Sequence, residues 1–222
     1  MLTRNRNLSV AFVFACGDKM KNIYLFHNIN PKPKNVWEVR PEDLMEIINE
    51  IKIGELDDTE IHFDDARVGV YDYAFRLLRE LTPILKVVIF VPTRWIDGHA
   101  PKEERYSEFM TWEQLRELKD EGFEIGSHTI THSNLTLLDK TSLKAELRHS
   151  KRTIKKKLNL STLTKFSYPY GAYTKQVVCA VQKTYCFAYC LGNPDFEKHN
   201  MIPIGKYKDY LIPRTTIISK KP

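Results

Sequence analysis

The sequence predicts one α/β domain built on parallel strands, as a sheet or a barrel. Three observations carry that expectation. Short apolar or alternating runs take turns with segments of helical periodicity from about residue 22 to 218, as in repeated βα units. One run, Lys86–Val91, is apolar on both faces and ends at Pro92, which suits a strand covered on both sides. No linker-like stretch or internal repeat divides the 222 residues, a length that one core can fill.

The elements follow in order. Asn22–Phe26 reads as a strand. Pro41–Ile51 reads as a helix, with proline in its first turn and Leu44, Ile47, Ile48 and Ile51 on one face. Thr59–Phe63 is a strand running into two aspartates. Tyr71–Leu81 has helical spacing through Phe75, Leu77, Leu78 and Leu81. After the strand Lys86–Val91 comes a helix over Thr111–Glu121, announced by Thr111 and, three residues on, Gln114, a capping box. Phe123–Ile125 is a short strand behind Gly122. A helix over Leu143–Leu158 precedes a strand near Leu163–Ser167, a helix near Lys175–Lys183, and strands near Phe187–Cys190 and Leu211–Ile218.

Residues 1–19 form an N-terminal extension with two open readings. Leu8–Phe14 is a Val- and Phe-rich strand. Alternatively Arg4 and Arg6, an eight-residue apolar run and Cys16 make a short lipoprotein-type signal over residues 1–16. Met20 is an alternative start. The domain proper is residues 20–222. Cys179, Cys186 and Cys190 fit no zinc ribbon and read as buried thiols, which favours the cytoplasm. A working signal would instead place the chain in the envelope or outside the cell.

Composition excludes several classes. Apolar residues at 42% and a net charge of +6 argue against a disordered chain. Nine glycines and eleven prolines without period exclude a collagen-like one, and four cysteines are too few for a disulfide scaffold. No apolar run reaches the ~20 residues of a membrane-spanning helix. The densest positive run, Lys151–Lys157, sits in the last turns of a helix, where cations complement the helix dipole. It reads as a solvated face, and no nucleic-acid module signature accompanies it.

Three clusters fall at strand ends, where α/β folds place their chemistry. In His62-Phe63-Asp64-Asp65 the paired aspartates need compensation if buried; one can bind a metal while the other faces substrate. An ordinary turn is the bland alternative. In His128-Thr129-Ile130-Thr131-His132 the i, i+4 histidines can share a face of a helical turn and a metal. Two imidazoles and one carboxylate leave open positions on a catalytic metal. In Ser167-Tyr168-Pro169-Tyr170-Gly171 a tight turn exposes backbone N–H groups to an oxyanion.

In this order the clusters resemble the polysaccharide deacetylases, the NodB-type domain of carbohydrate esterase family four. That family's T-F-D-D-G stands here as His62-Phe63-Asp64-Asp65-Ala66. Its H-[ST]-x-x-H is His128 to His132. The A-Y-P-Y-G of its exopolysaccharide branch is matched by Ser167-Tyr168-Pro169-Tyr170-Gly171. The branch's opening Y-H-x-I is echoed by Phe26-His27-Asn28-Ile29. The resemblance extends over residues 22–217. It implies a distorted (β/α) barrel and one divalent metal ion, zinc, held by Asp65, His128 and His132. Asp64 is then the general base, and the Tyr170 backbone N–H an oxyanion donor. Pro169, Tyr170 and Gly171 line the substrate. The implied reaction removes N-acetyl groups from the amino sugars of a glycan.

Two departures stand out. The family's motif-three arginine, which orients the base, is replaced by Ser167 or Tyr168; Arg214, in Ile212-Pro213-Arg214, is the candidate substitute. The late L-x-H that supplies a general acid is missing, since no histidine follows His199. His27 and His62 are the candidates for that role, against the alternative of buried structural imidazoles. Arg67 can reach an anionic sugar or form a surface ion pair. Trp95 and Trp112 are candidate sugar-stacking rings. Two other functions stay open: a degenerate glycan-binding protein, and a hydrolase of another amide or formamide.

Overall fold

The computed structural model describes residues 8–11, 22–51, 58–191 and 207–219. The described part of the expected N-terminal strand is β1 (Leu8–Ala11). Residues 12–19, with the signal alternative and Met20, lie outside the described residues. The core of the fold is a ring of seven strands: β2 (Asn22–Phe26), β5 (Thr59–Phe63), β6 (Lys86–Val91), β7 (Glu124–Ser127), β8 (Lys165–Ser167), β9 (Phe187–Leu191) and β10 (Ile212–Ser219). Each pairs in parallel with the next, and β10 pairs with both β9 and β2, closing a barrel. β1 adds antiparallel along the far end of β10. A two-stranded parallel ladder, β3 (Asn28–Ile29) with β4 (Glu38–Val39), sits beside the mouth. The single parallel α/β unit expected from alternation is thus a (β/α) barrel.

Period-two alternation sorts the side chains. Ile61, Phe63, Val87, Ile89, Val91 and Phe166 point outward into the large core shared with the helices. Ile23, Val88, Phe90 and Tyr189 form a smaller apolar cluster within the lumen. Glu60 and His62 alternate with the outward residues of β5 and so point inward. Gly126 is required here: a Cβ on it would lie 2.4 Å from the Phe90 ring that fills the lumen.

The helices are α1 (Pro41–Glu50), α2 (Phe75–Leu78), α3 (Thr93–Ile96), α4 (Trp112–Asp120), α5 (Lys140–Lys157) and α6 (Lys175–Gln182). α1 buries Leu44, Ile47 and Ile48 as its periodicity predicts. α4 starts with the expected capping box between Thr111 and Gln114. Asp139 caps α5 through the N–H groups of Thr141 and Ser142. The helix expected over Tyr71–Leu81 differs: a π-turn over Val70–Ala74 leads into α2 and ends in a tight 3₁₀ turn. The wider turn sets Ala74, Phe75 and Leu78 together on the buried side. Sequence periodicity cannot register such an inserted residue. Among the described residues no helix is long and apolar enough to cross a membrane.

Candidate active site

The C-terminal rim of the barrel gathers Asp64 and Asp65 from the end of β5, His128 and His132 from the loop after β7, Ser167 from β8 and Arg214 from β10. The backbone here is unusual. Asp65 (φ 74°), Ala66 (52°), Thr129 (71°), His132 (58°) and Tyr170 (59°) are all left-handed without being glycine. Such residues cost about 1–3 kcal/mol each, and they cluster at this rim. They also correct one expectation. The His128–His132 segment is no helical turn, because Thr129 and His132 have reversed φ. It runs as an irregular loop, held by Thr93 N–H on Thr129 O (3.1 Å) and Arg94 N–H on Ile130 O (2.9 Å). The Glu146 carboxylate of α5 accepts from Ile130 N–H (2.7 Å), Thr131 N–H (3.1 Å) and Thr131 Oγ1 (2.8 Å).

The loop still brings both imidazoles to one carboxylate. Asp65 Oδ1 lies 3.7 Å from His128 Nε2 and 3.5 Å from His132 Nε2. One ligand atom from each residue falls within 4.8 Å of the others. His128 Nδ1 is 2.8 Å from Ser167 O; donating there leaves Nε2 with its lone pair toward the cluster. Buried Asp65 Oδ1 and His132 Nδ1 have no hydrogen-bond partner. Burial lowers His128 to about 4 and His132 to about 3, although Asp64 pulls both upward. Both rings are therefore neutral and able to ligate near pH 7. Two neutral imidazoles and a carboxylate oxygen with no hydrogen-bond donor fit a divalent metal, and zinc among them.

Asp64 is arranged differently. Arg214 grips it with both arms, Nη1 on Oδ1 and Nη2 on Oδ2, each at 2.8 Å. Arg214 Nη2 also donates to Ser167 Oγ (2.8 Å), and Ser167 Oγ donates to Asp64 Oδ2 (3.0 Å). Burial would raise the Asp64 carboxyl, but Arg214 and then His128 hold it well below the usual carboxylate range. Arg214 thus reaches Asp64 from another strand, β10. Ser167 leaves the space it crosses.

Other expected residues sit elsewhere. His62 is fully buried below the rim, with Nε2 3.0 Å from Glu60 Oε2 and its ring against Phe90 and Tyr189. No substrate reaches it, so it is a structural imidazole and not an acid catalyst. It shares Asp64's side of β5, but two residues deeper. Arg67, expected to reach sugar, is 0% exposed. Its guanidinium is 2.8 Å from Glu104 Oε2 and 3.7 Å from Asp65 Oδ2, among the rings of Tyr106, Phe109 and Trp95. It props the Asp65 oxygen that faces away from the histidines. Pro169 and Gly171 are buried within their turn. A Cβ on Gly171 would meet Leu191 at 2.6 Å, so these two shape the turn and Tyr170 alone presents a side chain. Its ring is 53% exposed and 4.6 Å from that of His132. Trp95 is buried against His132 (4.7 Å), and half-buried Trp112 donates to Asp97; neither offers a free face. Cys186 is exposed and only Cys190 fully buried.

His27, just beyond β2, is half-buried, with a buried Nδ1 that has no partner. Burial lowers its pKa, opposed by Asp65 and Asp64, so it sits within electrostatic reach of both. Sequence reasoning missed the loop-holding role of Glu146, the propping role of Arg67, and Trp37, whose ring packs on His27 at 4.7 Å. None of these carries a local motif; they are recognisable only by what they touch.

Comparison with known proteins agrees in sequence and in shape. Residues 57–186 match the sequence profile of the polysaccharide deacetylase family. A stretch of 124 residues, 56% of this chain, is 32% identical to YxkH of Bacillus subtilis, named for polysaccharide deacetylation. The chain spans only 40% of that relative. The polysaccharide deacetylase BC0361 of Bacillus cereus superposes with a TM-score of 0.67 at 19% identity, over 90% of this chain and 65% of that one. The Streptococcus pyogenes deacetylase PplD, solved with acetate, does so with 0.62 at 20% identity, over 77% and 83%.

Proposed function

Because this chain belongs to the polysaccharide deacetylase family, we propose that it is a metal-dependent hydrolase removing N-acetyl groups from the amino sugars of a glycan. One observation carries the reading: the convergence of Asp65, His128 and His132 beside a carboxylate locked in place by an arginine. Asp65, His128 and His132 would hold one divalent ion, zinc by the nature of the donors. Such an ion, when bound, supplies an activated water near neutral pH and polarises the acetyl carbonyl.

The chain's own groups do the rest. Arg214 and Ser167 keep Asp64 ionised and fixed, so that it accepts a proton from the attacking water. The Tyr170 backbone N–H donates to the oxyanion that develops on the acetyl group. The leaving nitrogen must gain a proton, and His27 is the imidazole outside the cluster assigned to give it; burial lowers its pKa, and the charges of Asp65 and Asp64 oppose that lowering. With Arg214 on Asp64, the missing motif-three arginine no longer argues for a degenerate binding protein.

The test is acetate release from N-acetylated amino-sugar oligomers by metal-loaded protein. Activity is expected to vanish on chelation, to return with zinc, and to drop at least ~1,000-fold in Asp64→Asn. Tight glycan binding without release of acetate or formate would sink the proposal in favour of a binding protein. Release from a non-sugar amide alone would favour another amidase.

A further inference from the structure

Among the described residues, two large exposed aromatic rings rest on imidazoles of the site. Tyr170 packs on His132. Trp37 packs on His27 at 4.7 Å and is itself 41% exposed. Tyr170 belongs to a recognised turn, whereas Trp37 lies on the irregular segment between β3 and β4.

That segment is firmly tied down. Asn28 N–H donates to Trp37 O (3.2 Å), and Ser219 N–H at the end of β10 donates to Val36 O (2.9 Å). Trp37 N–H donates to Asn35 Oδ1 (2.9 Å). Glu38 is fully buried, accepting from Asn28 Nδ2 (2.9 Å) and Lys34 N–H (2.6 Å). The backbone that carries this partly exposed indole is therefore tied in place, so a ligand that covers the ring orders little chain.

The strand order fixes where the two rings stand. His27 follows β2 and Tyr170 follows β8. In the ring of seven these strands are three steps apart one way and four the other, so they face each other across the mouth. Asp64, Asp65 and the two histidines lie between. A linked chain that crosses the mouth over the cluster has an aromatic ring on either side of its path, Tyr170 beside His132 and Trp37 beside His27.

We propose that Trp37 is a sugar-stacking platform for the unit next to the one being deacetylated, making the site selective for linked N-acetylhexosamine chains over the monosaccharide. The apolar C–H face of a pyranose covers the indole, as apolar rings do at recognition surfaces. The idea rests on the deacetylase reading for the position of the reacting unit.

The experiment compares metal-loaded wild type, Trp37→Ala and Trp37→Phe on N-acetylglucosamine oligomers of one to five units. In wild type, kcat/KM rises with chain length. Trp37→Ala should lose about tenfold of that rise, through KM, and Trp37→Phe should regain most of it. An unchanged chain-length profile would overturn the proposal. So would a fall in kcat, with a shifted pH profile, equal for monomer and oligomer; Trp37 would then merely support His27. A second arm titrates the pentamer into Asp64→Asn protein with and without Trp37→Ala, read by tryptophan fluorescence or calorimetry. Trp37-dependent binding there, with no acetate from wild type, would retire the deacetylase reading and keep the platform. Binding indifferent to Trp37 would retire the platform alone.

Discussion

The barrel holds two layers of buried charge, and they differ in what they leave unmade. The lower layer lies at the N-terminal ends of the strands. Lys165 Nζ reaches Glu60 Oε2 and Glu124 Oε2, both at 3.0 Å, and Glu60 also pairs with His62. β5 and β8 are not neighbours in the ring, so the Lys165–Glu60 contact spans the lumen. Every charge there meets its opposite, and only His62 Nδ1 lacks a partner. All of it rests on regular strand. The upper layer also contains a saturated pair, Asp64 with Arg214. Beside it stand Asp65 Oδ1, His132 Nδ1 and His27 Nδ1 without partners, the first two on left-handed backbone. Buried charge alone therefore does not mark a site. Unmet valence held by strained backbone does, because both cost stability that ordinary packing has no reason to spend.

The largest test of this contrast is metal affinity. His128→Ala or His132→Ala should weaken zinc binding by ~1,000-fold or more, whereas Lys165→Met should leave it within about twofold. Isothermal titration measures both; equal losses would mean that the layers act as one. Next comes stability. Arg214→Met strands Asp64 in the interior and should cost about 3–5 kcal/mol in denaturant unfolding. Glu124→Gln touches a half-exposed carboxylate and should cost under ~1 kcal/mol.

Smaller effects probe the supports. Arg67→Lys keeps the charge but loses the fork that grips Glu104, Nη1 on its carbonyl and Nη2 on its carboxylate, with Nη2 beside Asp65. Glu146→Gln weakens the clamp on the Thr131 loop. Each should weaken zinc binding about tenfold, the usual scale for groups that orient ligands, in competition with a chromogenic chelator. A pH test isolates the lower layer. His62 is lowered to about 4 in the fold, mainly by burial, from an ordinary 6.5. The unfolded chain thus takes the proton first as pH falls. The stability that neutral His62 contributes is complete above pH 6.5 and lost toward pH 4. Melting temperature should decline over that window, and less steeply in His62→Gln. The smallest effect belongs to Ala66→Gly. Relief of the left-handed φ and loss of a buried methyl oppose each other, so the melting temperature should hardly move. A clear rise would mean that strain dominates.

Much was legible beforehand. β2, β5 and β6 begin and end at the residues their patterns predict, and the Thr111–Gln114 capping box is present as read. These features are written in adjacent residues, through side-chain alternation and local hydrogen bonding. The Asp64–Asp65 and His128–His132 clusters were legible for the same reason: each is short, and strand ends are where chemistry collects. What failed depended on distance. Arg67 and His62 looked available because neighbours in sequence are near the chemistry, yet both are enclosed by residues from other strands and loops. Trp95 is buried and Trp112 is tied to Asp97, and Trp37 went unnoticed because nothing next to it in sequence reveals His27 against its ring.

Chain order alone was enough for the alternation of strand and helix, and for which residue types could hold a metal, because both follow from spacing along one segment. Only the closed barrel decided that Arg214 would find Asp64, 150 residues away. It also decided that Arg67 would stand behind Asp65 and that Trp37 would pack on His27. Closure converts strand order into neighbourhood, and contacts across a lumen depend on register and curvature that no local pattern encodes.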